Sequence, residues 1–297
     1  DWNARPPYDP FNYGITVSLV DAGDAGSVKV VDPPQEEKNV LVSLVRMRDN
    51  DYKSAGFSLK KDGTIRIYAL GESVDDNREM VDYAWVVNAR SRERVWTMDA
   101  RRTFHAGGAS KNRFVDEIVE LPKGDYVAYY QTDGSHSYDE WNADPPFDPE
   151  HWGLTIMGAG KDFDPSSVSS FNEDNEAGVI AQLIRVSDDK HVHQRFTLSS
   201  KTKVRVYALG EADGDELADY GWIKNTETGE TIWRMEIDET SWAGGAKKNR
   251  VADKTITLDK GEYEINYRTD GSHAFNDWND DPPDDRAHWG ITVYAIR

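Results

Sequence analysis

Residues 133–156 read DGSHSYDEWNADPPFDPEHWGLTI, and the chain carries this stretch, whole or in part, three times. It returns as DGSHAFNDWNDDPPDDRAHWGITV at 270–293, and its second half opens the chain as DWNARPPYDPFNYGITV at 1–17. Trp2, Trp141 and Trp278 therefore stand 139 and then 137 residues apart, a period of domain size rather than solenoid size. The register holds elsewhere: IRIYALGE at 65–72 matches VRVYALGE at 204–211, and DYAWVVN at 82–88 matches DYGWIKN at 219–225. The two-residue shift falls between Glu72 and Asp82. This spacing predicts a half-motif strand and linker over 1–37, a repeat over 38–157, a linker over 158–177 and a second repeat over 178–297.

Working outward from the repeat, strand signals follow one another at short intervals with turn residues between them. In the first copy they lie at 41–47, 56–59, 64–70, 83–88, 94–98, 113–121, 125–131 and 152–157. Alternation assigns the faces. Ile65, Ile67 and Ala69 share one face, as do Val204, Val206 and Ala208. Tyr126, Ala128 and Tyr130 likewise match Tyr263, Ile265 and Tyr267. No segment has a convincing helical period, and the best helical candidate is a turn or two at 74–80. The expected class is all-β: two tandem antiparallel β-sandwiches, jelly-roll or immunoglobulin-like, of about eight strands each.

The formal net charge of -19 disfavours nucleic acid and anionic membranes as partners, because both need a basic face. With no cysteine, disulfides, thiolate metal sites and cysteine nucleophiles are excluded. No apolar run is long enough to span a membrane as a helix. The chain opens on Asp1 without an initiating Met, which suggests a processed product or a fragment. Ten Trp and fourteen Tyr must carry much of each core, which suits thin two-sheet interiors.

The order of signals resembles the bacterial pre-peptidase C-terminal sandwich. The resemblance rests on the strand ending YALGE at 68–72, the DYAW strand at 82–85, and the LPKGDY hairpin at 121–126 with its counterpart LDKGEY at 258–263. It implies an extracellular or cell-surface, non-catalytic accessory module of a secreted bacterial protein.

Two sets of loop residues invite a functional reading beside a structural one. Trp141, Asn142, Phe147 and Trp152, with Trp278, Asn279 and Trp289, could form a carbohydrate- or protein-binding tip. Against that, Phe147 becomes Asp284 in the second copy, and paired prolines with Asn suit a rigid loop. Asp133, His136, Asp139, Asp144, Asp148 and His151 in the first copy, with Asp270, His273, Asp277, Asp280, Asp284 and His288 in the second, could hold a metal, Ca²⁺ before Zn²⁺. The plain alternative is a solvated acidic rim. The AGGASKNR turn at 106–113 and AGGAKKNR at 243–250 lack a following helix, so a phosphate-cradling role is unsupported; Arg113 and Arg250 are instead expected to pair with the acidic loop. No nucleophile stands beside a base at a useful spacing, and the chain is read as non-enzymatic.

Three copies of the closing segment serve only two copies of everything else. Gly14, Ile15, Thr16 and Val17 match the strand at 290–293, so the opening segment is expected to be a spare strand. The function expected is structural or adhesive, through self-association head-to-tail or through neighbouring repeats, with a carbohydrate-binding module as the alternative.

Overall fold

The computed structural model describes residues 4–30, 38–74, 79–161, 163–173, 176 and 178–296. Asp1–Lys38 and Asn39–Arg297 form two compact units. Trp2 and Asn3 of the opening motif, and residues 75–78 of the helical candidate, lie outside the described residues.

The alternation of apolar and polar residues builds strands throughout the larger unit, and among the described residues there is no α-helix and no helix able to cross a membrane. The first repeat holds β1 (Val40–Val45), β2 (Tyr52–Leu59), β3 (Gly63–Val74), β4 (Glu79–Asn88), β5 (Arg94–Thr97), β6 (Phe104–His105), β7 (Asn112–Leu121), β8 (Gly124–Gln131) and β9 (Gly153–Gly158). One layer pairs β1, β9, β3, β7 and β6; the other pairs β2, β8, β4 and β5. The layers join where Glu72 and Asp82 pair across β3 and β4. At the described ends of the helical candidate, Val74 closes one strand and Glu79 begins the next.

Both layers feed one core. Ile65, Ile67, Ala69, Leu154 and Ile156 face Phe57, Ala84, Val86, Tyr126, Ala128 and Tyr130, all buried, so the parity read from the sequence holds. The expected linker contains a strand of its own, β10 (Val168–Phe171), which pairs with the outer edge of β2. Gly56 permits this: a Cβ there would lie 2.4 Å from the Phe171 carbonyl oxygen.

The second repeat runs β11 (Val179–Leu183), β12 (His191–Leu198), β13 (Thr202–Asp213), β14 (Glu216–Leu217), β15 (Tyr220–Asn225), β16 (Thr231–Arg234), β17 (Ser241–Trp242), β18 (Asn249–Leu258), β19 (Gly261–Arg268) and β20 (Ile291–Ala295). Its layers are β11-β20-β13-β18-β17 and β12-β19-β15-β16, over a core containing Val204, Val206, Ala208, Tyr263, Ile265 and Tyr267. Arg195 replaces Gly56 here, and β12 is an edge strand.

In the smaller unit, residues 14–19 are not assigned to a strand, contrary to the sequence expectation. Ile15 and Val17 are 95% and 94% exposed, whereas their counterparts Leu154, Ile156, Ile291 and Val293 are fully buried. A strand forms only when its edges and its apolar face find partners, and among the described residues of the smaller unit no strand is assigned.

Candidate functional site: twin acidic corners and the junction between repeats

Each repeat places three carboxylates at the corner where its layers meet. Glu72, Asp82 and Asp133 bring carboxylate oxygens within 4.8 Å of one another, and Glu211, Asp219 and Asp270 repeat the arrangement; both groups could hold a metal ion. Asp82 accepts hydrogen bonds from the Asp133 backbone N–H (2.8 Å) and from Trp152 Nε1 (3.3 Å). Burial, assisted by the neighbouring Glu72 and Asp133 charges, pushes Asp82 up to about 8, and Asp219 to about 8 in the same way. Lys111 Nζ lies 2.9 Å from Glu72 Oε1, and Lys248 Nζ lies 2.9 Å from Glu211 Oε1. One ammonium does not neutralise three carboxylates. Glu72 Oε2 and Glu211 Oε2 are buried with no hydrogen-bond partner among the described residues, a donor set of hard oxygens suited to Ca²⁺ or Mg²⁺.

Of the residues singled out in the sequence, only Asp133 and Asp270 belong to these groups. Glu72, Asp82, Glu211 and Asp219 were missed, although the shared YALGE and DY strings contain all four. His136 and His273 are fully buried and held near pKa about 4 by burial. Their Nε2 atoms lie 2.6 Å from Asn112 Oδ1 and Asn249 Oδ1. Because the Asn112 amide already donates to the Gly107 and Asp144 carbonyls, its oxygen is the acceptor and the His136 Nε2 carries the proton. Asn112 thus clamps the Gly-Gly turn to the loop of paired prolines, as Asn249 does in the second copy. Arg113 does not meet the acidic loop: it binds Thr103 Oγ1 and the Thr103 carbonyl, and Arg250 binds Thr240 likewise.

The aromatic set is largely interior. Trp152 and Trp289 are buried, and Trp141 and Trp278 pack edge-on against them at centroid distances of 5.0 and 5.1 Å. Asn142 and Asn279 accept from Lys111 and Lys248. Phe147 stands apart at 89% exposed. Asp139 and Asp144 lie on the exposed loop surface, as do Asp277 and Asp280 in the second copy.

Asp284 and His288 belong to a different site, the buried junction between the repeats. The turn between β4 and β5 places Arg92, at φ 61°, against Asp285 with contacts of 2.9 and 2.5 Å. The same guanidinium reaches Glu173 at 2.9 Å, and Tyr207 donates to Asp285 at 3.0 Å. Burial alone would raise Asp285, but Arg92 and His288 outweigh it and hold the carboxyl well below the usual range. His288 Nδ1 lies 3.2 Å from Asp285 Oδ1; burial opposes its charge, yet Asp285 moves its pKa upward overall. Glu173, Asp285 and His288 also satisfy the geometry of a metal group, with Arg92 already supplying a cation. Arg94 pairs with Asp284 at 2.7 Å, and Arg286 lies 3.2 Å over the ring of Tyr52. Beneath them Trp85, Val87, Val127, Tyr129 and Ala287 form an apolar patch. In the first repeat the corresponding Tyr68, Asp148 and His151 keep the same hydrogen bonds, 3.0 Å from Tyr68 to Asp148 and 2.9 Å from Asp148 to His151, but are only half-buried.

No family model matches the chain, and no curated protein matches it. Among solved structures it is similar to the CUB1-EGF-CUB2 domain of human MASP-1/3, at 10% identity over 85% of this chain and 96% of that one, with a TM-score of 0.26. The CUB1-EGF-CUB2 domains of rat MASP-1 match at 10% identity over 84% and 94%, with a TM-score of 0.23.

Proposed function

We propose that the protein is a non-enzymatic structural or adhesive protein of the bacterial exterior, built of two tandem sandwiches of about eight strands each, which assembles head-to-tail with further copies or repeats. The observation that carries this reading is the exposed segment at 14–19. Its side-chain pattern is that of a buried closing strand, and exposing Ile15 and Val17 forgoes roughly 1.5–3 kcal/mol of burial for each. β9 and β20 are already supplied within their own repeats, so the natural place for the spare strand is another sandwich, by edge pairing or by exchange with a closing strand. The carbohydrate alternative has less support, because its Trp residues are packed into the loops rather than displayed.

Ca²⁺ at the twin acidic corners is the cofactor that fits best. Glu72, Asp82 and Asp133, and their three counterparts, would hold it, and the ion would neutralise charge where the two layers meet. The test of assembly is light scattering on the full chain and on a chain lacking residues 1–30: concentration-dependent mass for the first and monomer for the second is expected. A full chain that is monomeric at high concentration, with the truncation unchanged, ends the reading.

A further inference from the structure

The junction inside the chain is one half of a pattern whose other half is exposed at both ends. In the first repeat the outer face of the β2-β8-β4-β5 layer carries Tyr52, Tyr83 and Trp85, whose rings pack at 5.3–6.1 Å, and the 284–288 loop of the second repeat covers it. The same three positions on the β12-β19-β15-β16 layer are His191, Tyr220 and Trp222, and they pack the same way, at 5.2 and 5.6 Å. Here nothing among the described residues covers them: they line an open groove of about 450 Å³ together with Lys190 and Arg268. At the other end, the 147–151 loop is the counterpart of the covering loop. It is half-exposed, keeps the Tyr68-Asp148-His151 hydrogen bonds of its buried equivalent, and presents Phe147.

We infer that the outer face of the β12-β19-β15-β16 layer is a docking surface for the 147–151 loop of a second copy of this chain, repeating between molecules the junction that joins the two repeats within one. This rests on the head-to-tail reading above but assigns the contact to a different part of the molecule from the spare strand.

The side chains that differ between the two junctions differ in a matched way. Ala287 packs with Val87 inside the chain. Its counterpart in the loop is Glu150, and the counterpart of Val87 is Lys224. An apolar pair in the internal junction thus becomes an acid and a base in the external one, the acid held at 2.7 Å by Arg46 and accepting from Tyr138 within its own chain. The face adds Lys190, Arg195, Arg234 and Arg268 against Asp189 and Glu264, and the loop adds Asp148, with Arg46 beside it, so the excess charges of the two surfaces are opposite in sign. Arg92 has become Gly229, at φ 76°, which removes the buried guanidinium lock. The external contact is accordingly weaker than the internal one, reversible and salt-sensitive.

Sedimentation equilibrium on the full chain tests this with charge exchange. At low ionic strength the weight-average mass of the natural protein should rise with concentration and fall back towards monomer in half-molar salt. Glu150→Lys sets Lys against Lys, and Lys224→Glu sets Glu against Glu; each should reduce the association constant by about tenfold or more. Both sites are on the surface, and circular dichroism confirms that each variant is folded. Mixing the two variants in equal amounts should restore association, because every loop then finds an opposite charge; Trp222→Ala should abolish it in either background. The inference is overturned by a natural protein that stays monomeric to about millimolar concentration, by reversals that leave association unchanged, or by a mixture that fails to regain it. Association lost on deleting residues 1–30 but indifferent to both reversals would also overturn it, while leaving the spare-strand reading standing.

Discussion

Asn112 and Asn249 occupy the place that the sequence suggests for Arg113 and Arg250. An amide both donates and accepts, and at this position it must bind two carbonyls and an imidazole N–H, whereas a guanidinium has no acceptor to offer. At the acidic corners, burial raises Asp82 and Asp219 to about 8, above the unfolded carboxylate value. The sign follows: their contribution to stability is fully present below about pH 4 and is lost as pH rises towards 8, where both carboxylates charge inside the fold. A divalent cation reverses that loss. Millimolar Ca²⁺ should therefore raise the melting temperature more at pH 8 than at pH 5, and Asp82→Asn combined with Asp219→Asn should remove most of the calcium effect; equal shifts at both pH values would reject binding at these corners. At the junction, Arg92→Ala leaves Asp285 and Glu173 buried beside each other with only His288 to offset their charge. It should cost about 3–5 kcal/mol in urea unfolding, far more than Arg101→Ala, whose pair with Asp99 is exposed.

At the scale of elements, one glycine separates the two edge strands. Gly56 lets β10 close on β2, whereas Arg195 stands at the matching position of β12 and pairs with Glu264 at 3.1 Å. Covering an edge removes a row of unpaired backbone groups, and β10 also delivers Phe171 to the apolar patch beside Tyr52. Gly56→Val should expel β10 without unfolding the first repeat. The expected readout is faster proteolysis within residues 160–178 with little change in far-ultraviolet circular dichroism; unchanged cleavage would mean that β10 is held by Phe171 alone. The alternation in β8 shows what periodicity records. Tyr126, Ala128 and Tyr130 were legible as core, but Val127 and Tyr129 are equally buried, because the second repeat covers the opposite face of that strand.

For the whole molecule, the junction and the two free ends decide how copies can combine. Each repeat has its own core and its own closing strand, so neither requires another chain to complete it. Among the described residues, those left exposed include a segment at 14–19 with the sequence of a closing strand, a loop at 147–151 and an aromatic face on the second repeat. The first predicts association dependent on residues 1–30, and the other two predict association dependent on Glu150, Lys224 and Trp222.

By itself the sequence determined the all-β class, the repeat period, the inward faces of the central strands and the existence of a surplus closing segment. Each of these is encoded by local alternation or by near-identity between copies, which survive without knowledge of the partner surfaces. Only the tertiary structure decided that the spare segment lacks strand pairing, that the linker supplies β10, that the repeated His136 and His273 are interior, and that Asp285 and Arg92 lock the repeats together. The reason is physical. Glu72, Asp82 and Asp133 are separated by up to 61 residues and meet only because β3, β4 and the end of β8 converge on one corner, and a residue's neighbours across such a corner leave no periodic mark in the chain.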